Sequence, residues 1–347
     1  MRFVNESTPR QEDAMNSGSD YTIDNRSAII LAGGEGVRLR PLTEKITGFQ
    51  IPKQFCPVVG DTTLLEQTRF RVAHSVFAQK TKVVVAHRHE RFYLPALAGM
   101  SKRNIVVQPE DKGTAPAILY GAMRTAEDAP NDSVAIFPSD HFVNDDRRFM
   151  DHVEAAFDIV EELPDTIVLL GIAADSPDTS YGWVEPGAQL PAKSGAVFRV
   201  SNFVEKPVFG KATELMFRGG MWNSFVIVAK LRTLLDLISV TLPELFGAFA
   251  MVKDAIGTPF EAGPVGQMYR DLPSVNFSHD VLGRSPERLA VLPVTGVAWT
   301  DLGDPGRVAE VWDRYGLRPS WPGLHVGSAT GVANSAANKE NVFNRQI

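Results

Sequence analysis

The chain has 347 residues, 44% of them hydrophobic and 22% charged, with a net charge of −6. That length and apolar content build one large domain or two moderate ones around a sizeable core and exclude wholesale disorder. The acidic balance leaves no overall footprint for nucleic acid or an anionic membrane, so a phosphate ligand has to be held by a local site.

In chain order, residues 1 to about 26 are polar and mixed in charge, without the apolar stretch of a signal peptide. They read as a flexible end, as does the tail 326–347. No run is apolar enough for a bilayer span, so no membrane partner is expected and the cytoplasm is the expected location. AIILA, Ala28–Ala32, reads as a buried strand followed at once by a glycine-rich turn. The single cysteine, Cys56, reads as a small buried side chain. Thr62 or Thr63 then caps a helix with Leu65, Val72 and Val76 on one face. KVVVA, NIVVQ, SVAIF and TIVLLGI follow as strands, with helices near 115–126 and 149–161 between them. Val/Ile runs separated by helices predict an α/β fold, Rossmann-like, with a mostly parallel central sheet covered by helices on both faces. From about residue 176 shorter strands, YGWVEPG and VFRVSNFVEKP, predict a small antiparallel elaboration. GGMWNSFVIVA, two helical stretches across 231–255, the strand RLAVLPV and a closing helix complete a single domain over 27–318. Its halves divide near residue 175.

The chemistry starts at Leu31–Thr43, LAGGEGVRLRPLT. Gly33, Gly34 and Gly36 directly follow a buried strand, so several backbone N–H groups can approach a polyphosphate, and Arg38 and Arg40 supply charge for the same anion. A dinucleotide fingerprint would need a third glycine where Leu39 stands, and a P-loop would need Gly-Lys-Ser/Thr, which is absent. Asp140 ends a strand, where ligands of open α/β sheets sit, and a carboxylate there suits a divalent cation on a nucleotide. A turn or cap is its plainer reading. His141 reads as a packed histidine, and Asp304 as a cap for the final helix.

These blocks occur in a recognisable order: GGEGVRLRPLT, PKQF, QPEDKGTAPA, FPSDH, YGWVEPG, FVEKP, WNS and WTDLG. Together they resemble the sugar-1-phosphate nucleotidyltransferases, and within them the mannose-1-phosphate guanylyltransferase branch. The resemblance runs roughly from Ala28 to Val311. It implies transfer of a nucleotidyl group from an NTP, GTP preferred, to a sugar-1-phosphate, mannose-1-phosphate preferred, releasing pyrophosphate. It makes Arg38, Lys53 and Asp140 catalytic and places Mg²⁺ on Asp140 and Asp301. It assigns nucleotide contacts to Leu31, Ala32, Gly33, Gly34, Gly36, Gln108, Gly113 and Thr114. Gly182, Glu205, Lys206 and Asn223 form the sugar end, while Trp183 and Trp222 read as core. A homodimer is the family-level expectation.

Three positions depart from the branch's pattern. Gly113 stands where Asn is usual, Val37 replaces Thr or Ser, and Ser278 takes the place of an aspartate, with Asp280 two positions on. These bear on the base and sugar more than on the reaction. The sugar-phosphate nucleophile is already largely dianionic at neutral pH, its second pKa being about 6, so no general base is needed. Glucose-1-phosphate with UTP or dTTP is the alternative pair. A non-catalytic NDP-sugar-binding regulator ranks lower, because Arg38, Lys53, Asp140, Lys206 and Asp301 are all present. A glycosyltransferase would want Asp-x-Asp, where FPSDH offers one aspartate.

Overall fold

The computed structural model describes residues 25–320. The expected flexible tail, and all but the last residues of the expected flexible amino end, lie outside these residues. The first half runs β1 (Arg26–Ala32), α1 (Arg40–Thr47), α2 (Leu64–Val72), β2 (Thr81–Ala86), α3 (Glu90–Ala96), β3 (Ile105–Gln108), α4 (Thr114–Asp128), β4 (Ser133–Pro138), β5 (Phe142–Val143), α5 (Asp146–Glu162) and β6 (Ile167–Ala173). Then come β7 (Gly182–Gln189), β8 (Phe198–Glu205), α6 (Phe209–Phe217), β9 (Met221–Lys230), α7 (Leu231–Thr241), α8 (Pro243–Met251) and α9 (Ala262–Asp271). α10 (Phe277–Asp280), β10 (Leu289–Val294), β11 (Trp299–Thr300) and α11 (Pro305–Tyr315) close the domain.

Nine strands form one sheet in the order β3-β2-β1-β4-β9-β6-β10-β8-β7. The expected α/β architecture is present, but the sheet is mixed rather than mostly parallel. β1 pairs parallel with β2 and β4, β2 with β3, and β6 with β10. β9 lies between β4 and β6 and runs antiparallel to both, so the reversal sits at the centre of the sheet and not only in an outlying hairpin. The physical reason is that an apolar run buried on both faces, such as FVIVA in β9, looks the same in either direction.

Strand alternation sends side chains to two cores. On β1, Ala28 and Ile30 face one layer, packed by Phe149, Val153 and Phe157 of α5, while Ile29 faces the other with Ile118 of α4 and Leu234 of α7. A third, smaller cluster joins Leu39, Cys56, Phe142, Leu302 and Val308 beneath the glycine loop. Thr63 is the residue that caps α2: its hydroxyl accepts from Glu66 N–H while the Glu66 carboxylate accepts from Thr63 N–H. Val76 is buried as expected but lies beyond that helix's end.

Candidate active site

The carboxyl ends of β1, β2, β3 and β4 open onto a cleft of about 360 Å³ that brings together Leu31, Gly33, Gly34, Gln108, Gly113, Thr114 and Asp140. Gly36, Arg38, Lys53, Asp140 and Asp301 line an adjoining cleft of about 340 Å³, and Asp140 with His141 belongs to both. A larger groove of about 520 Å³ lies elsewhere, at the amino end of β2 beside Phe70 and Met100, and holds none of these groups.

The glycine loop is shaped by contacts that exclude side chains. Gly36 has φ 57°, and a Cβ there would stand 3.0 Å from the Lys53 backbone nitrogen. Gln54 Nε2 donates to the carbonyls of Ala32 (3.0 Å) and Gly34 (2.8 Å), bracing the loop from beneath. Ala32 is fully buried in the core and, unlike Leu31, Gly33 and Gly34, lines neither cleft. Arg38 extends over the cleft, whereas Arg40 turns away to pair with Glu35 and does not line it. Glu35 also meets Arg88 at 2.5 Å, and Arg88 reaches Asp111 at 3.4 Å.

A short hairpin-like pairing closes the long sequence gap between Asp140 and Asp301. β5 and β11 run antiparallel with Phe142 opposite Thr300. The residues just before β5 and just after β11 thus fall at the same end, against the same cleft. Lys53 is 7% exposed, and its Nζ joins the two loops: it lies 3.3 Å from Asp140 Oδ2 and donates to the carbonyls of Asp301 (2.5 Å) and Leu302 (3.4 Å). Leu302 takes φ 49°, a left-handed conformation uncommon outside glycine.

Asp301 is held tightly on one side. Its Oδ1 accepts from Gly303 N–H (2.8 Å), Arg307 Nη1 (2.5 Å) and Tyr181 Oη (3.4 Å), while Oδ2 has Arg38 at 3.8 Å. Burial on its own would raise this carboxyl, but the positive charges of His141 (once acid protonates it), Lys53 and Arg307 outweigh it and hold Asp301 below its usual range. His141 goes the other way: burial pushes its imidazole down to about 4, with Asp140 only partly opposing, so the ring is neutral at pH 7. It packs edge-on to Trp299 with centroids 5.2 Å apart, the packed reading expected from sequence.

The base side of the cleft is built by backbone. Gly113 has φ 86° and ψ −175°, and a Cβ there would stand 2.4 Å from the Val275 carbonyl oxygen. Val275 N–H donates to Lys112 O and its carbonyl accepts from Ala115 N–H, so residues 275–277 lie along the start of α4. Thr114 Oγ1 accepts from Phe277 N–H at 2.8 Å. Gln108 is buried against Gly33 and accepts from Tyr269 Oη at 3.3 Å. Phe225, at φ 61°, and Asn276 complete the wall.

The expected sugar end assembles on β7, β8 and β9. Gly182 pairs opposite Glu205, whose carboxylate would stand 2.7 Å from a Cβ at Gly182, with Asn223 on the far side. Lys206 Nζ is 3.8 Å from Glu205. Burial raises the Glu205 carboxyl, and Lys206 and His279 oppose the rise. Trp183 and Trp222 are buried on the opposite face, in the core. Ser278 is buried, while Asp280 accepts from Asn276 N–H (3.0 Å), His279 (2.8 Å) and Arg284 (3.1 Å), a local knot at the start of α10.

Several residues of the site carried no sequence signal of their own. Gln54 lies inside the quoted PKQF block, where a bracing role was legible in principle. Arg307 is an arginine in a helix, Tyr181 opens the quoted YGWVEPG block without a role of its own there, and Phe225 and Asn276 enter only through the folded arrangement.

The profile of the nucleotidyl transferase family matches residues 27–314, and the chain belongs to that family. Among curated relatives it is similar to the alginate biosynthesis protein AlgA of Pseudomonas aeruginosa, 34% identical over 56% of this chain and 40% of that protein. It is also similar to the mannose-1-phosphate guanylyltransferase of Klebsiella pneumoniae, 25% identical over 82% of this chain and 59% of that protein. The chain thus spans about half the length of the curated relatives it matches. Its fold is similar to a Thermus thermophilus structure described as a mannose-1-phosphate geranyltransferase, with TM-score 0.69 and 28% identity over 80% of this chain and 76% of that one.

Proposed function

We propose that this protein transfers a guanylyl group from GTP to mannose-1-phosphate, giving GDP-mannose and pyrophosphate, in the cytoplasm. The observation that carries the reading is the convergence of the glycine loop, Arg38, Lys53, Asp140 and Asp301 on one cleft at the carboxyl ends of the strands. The names of the relatives supply the preferred pair.

The site suits Mg²⁺ by its donor chemistry. Asp140 and Asp301 are hard oxygen donors lining one cavity, and among the described residues Asp301 Oδ2 has no hydrogen-bond donor, with the Arg38 guanidinium 3.8 Å away. Among the described residues, no group of three or more His, Cys, Asp or Glu is placed to hold a metal ion. That agrees with an ion that takes one or two protein carboxylates and completes its shell with phosphates and water. When bound there, Mg²⁺ would offset phosphate charge and align the triphosphate for in-line attack.

The chain's own groups then do the following. Backbone N–H groups of the glycine loop and the Arg38 guanidinium hold the β- and γ-phosphates, stabilising the departing pyrophosphate. Lys53 keeps the Asp140 and Asp301 loops in register and sets positive charge beside both. Glu205 and Asn223 accept and donate to sugar hydroxyls, and Lys206 pairs with the sugar phosphate, orienting its oxygen toward the α-phosphorus. The neutral His141 takes no proton in this scheme. The intact set of Arg38, Lys53, Asp140 and Asp301 disfavours a regulatory, non-catalytic role.

The test is pyrophosphate release with Mg²⁺, scanning GTP, ATP, UTP, CTP and dTTP against mannose- and glucose-1-phosphate. Dominant turnover of GTP with mannose-1-phosphate is expected. Dominance of another pair would move the specificity and keep the chemistry, and binding without turnover would favour the regulatory reading.

A further inference from the structure

Arg307 is the third residue of α11, and its side chain leaves the helix to enter the site. Nη1 donates to Asp301 Oδ1 at 2.5 Å. Nη2 donates to Asp178 Oδ2 and to Ser180 Oγ, each at 2.5 Å. Nε lies 3.5 Å from Asp304 Oδ2, and the guanidinium stands over the Tyr181 ring, 4.4 Å from its centroid. The side chain is 16% exposed, so solvent screens these contacts weakly. One cation therefore faces three carboxylates and bridges two loops: the turn entering β7 at Gly182 and the turn leaving β11 at Asp301.

Two consequences follow from that placement. Arg307, with Gly303 N–H and Tyr181 Oη, saturates Oδ1 of Asp301, so Oδ2 is the oxygen left to the cleft. The other half of the guanidinium fixes Asp178 and Ser180, immediately before Tyr181 and Gly182, where the sugar end begins. A planar fork spans two such partners; an ammonium, a point charge, does not.

We infer that Arg307 is a positioning residue that aims Asp301 Oδ2 into the cleft and ties it to the Asp178–Gly182 turn, so that one guanidinium sets the cation side and the sugar side of the site together. The inference rests on the proposed function, through the role given there to Asp301 and Gly182.

The test uses Arg307→Lys, which keeps the charge, and the double variant Asp178→Asn/Ser180→Ala, which removes the far anchor together with the Ser180 hydroxyl's bond to Asp178 Oδ1. Calorimetry of GTP binding without sugar phosphate, with and without Mn²⁺, reads the gain in affinity that the cation gives, with no turnover involved. In Arg307→Lys that gain should fall about tenfold, the scale seen when a group orienting a metal ligand is altered. Its melting temperature should stay near that of the unaltered protein. The double variant should raise the KM for sugar-1-phosphate severalfold and leave the Mn²⁺ gain nearly intact. An unchanged Mn²⁺ gain in a folded Arg307→Lys overturns the inference, and an unchanged KM in the double variant overturns its sugar-side half. No Mn²⁺ gain in the unaltered protein overturns the metal assignment and this inference with it. A normal gain without turnover of any substrate pair overturns the proposed reaction alone.

Discussion

Single positions in this protein are set by backbone space as much as by side-chain chemistry. Gly113 stands where the resembled branch's pattern has Asn, and at this position the Val275 carbonyl occupies the place a Cβ would need. Gly113→Ala is therefore expected to cost about 1–3 kcal/mol through strain at a glycine-only conformation, and to weaken nucleotide binding as residues 275–277 are pushed off α4. Chemical denaturation together with a KM for the NTP checks both effects. Cys56 supplies a second residue-scale prediction. Burial pushes its thiol up to about 12, so the thiolate is scarce below that pH. Native protein at pH 8 should resist iodoacetamide and unfolded protein should react, as mass spectrometry would show. Modification of native Cys56 would mean that the cluster under the glycine loop opens readily.

At the scale of elements, the short pairing of β5 with β11 and the first turn of α11 matter most, because they bring the two aspartates to one cleft. Asp304 Oδ1 accepts from Gly306 N–H (2.8 Å) and Arg307 N–H (3.2 Å), capping α11 as its sequence position suggested. Asp304→Ala should lose about 1 kcal/mol of stability. Because α11 carries Arg307, it should also lower turnover more than that loss explains, measured by comparing melting temperature with kcat. This region shows what the sequence made legible and what it did not. The cap at Asp304, a cap at Thr62 or Thr63 and the burial of the strands follow local rules and were readable, while the choice of Thr63 and its capping box with Glu66 came from the structure. The ordered blocks pointed to the cleft residues, and those of the glycine loop, FPSDH and WTDLG sit where a strand ends. Arg307 and Phe225 were not readable, since a charged helix residue and an aromatic on a strand have no local pattern that marks a site. The direction of β9 was hidden for a related reason: hydrophobicity records burial, not chain polarity.

For the whole molecule, β9 is a central strand whose side chains reach both cores. Val228 faces the α5 layer and Ile227 the α4 and α7 layer, and both are fully buried. Ile227→Ala should cost about 2–5 kcal/mol. Since both layers share that strand, unfolding should remain a single transition by fluorescence and circular dichroism. Two separated transitions would mean that the halves flanking residue 175 unfold independently. In the proposed reaction Asp140 and Asp301, joined through Lys53 and the β5–β11 pairing, form the acidic centre of the nucleotidyl transfer. The most direct measurement is pyrophosphate formation from GTP and mannose-1-phosphate by the unaltered protein, Asp140→Asn and Asp301→Asn, each with Mg²⁺ and with excess EDTA. Turnover by the unaltered protein, abolished by EDTA, is expected. A loss of about 10³-fold or more is expected in either folded variant, the scale of several kcal/mol of charge stabilisation. Undiminished turnover in either variant, or turnover insensitive to EDTA, would contradict this assignment.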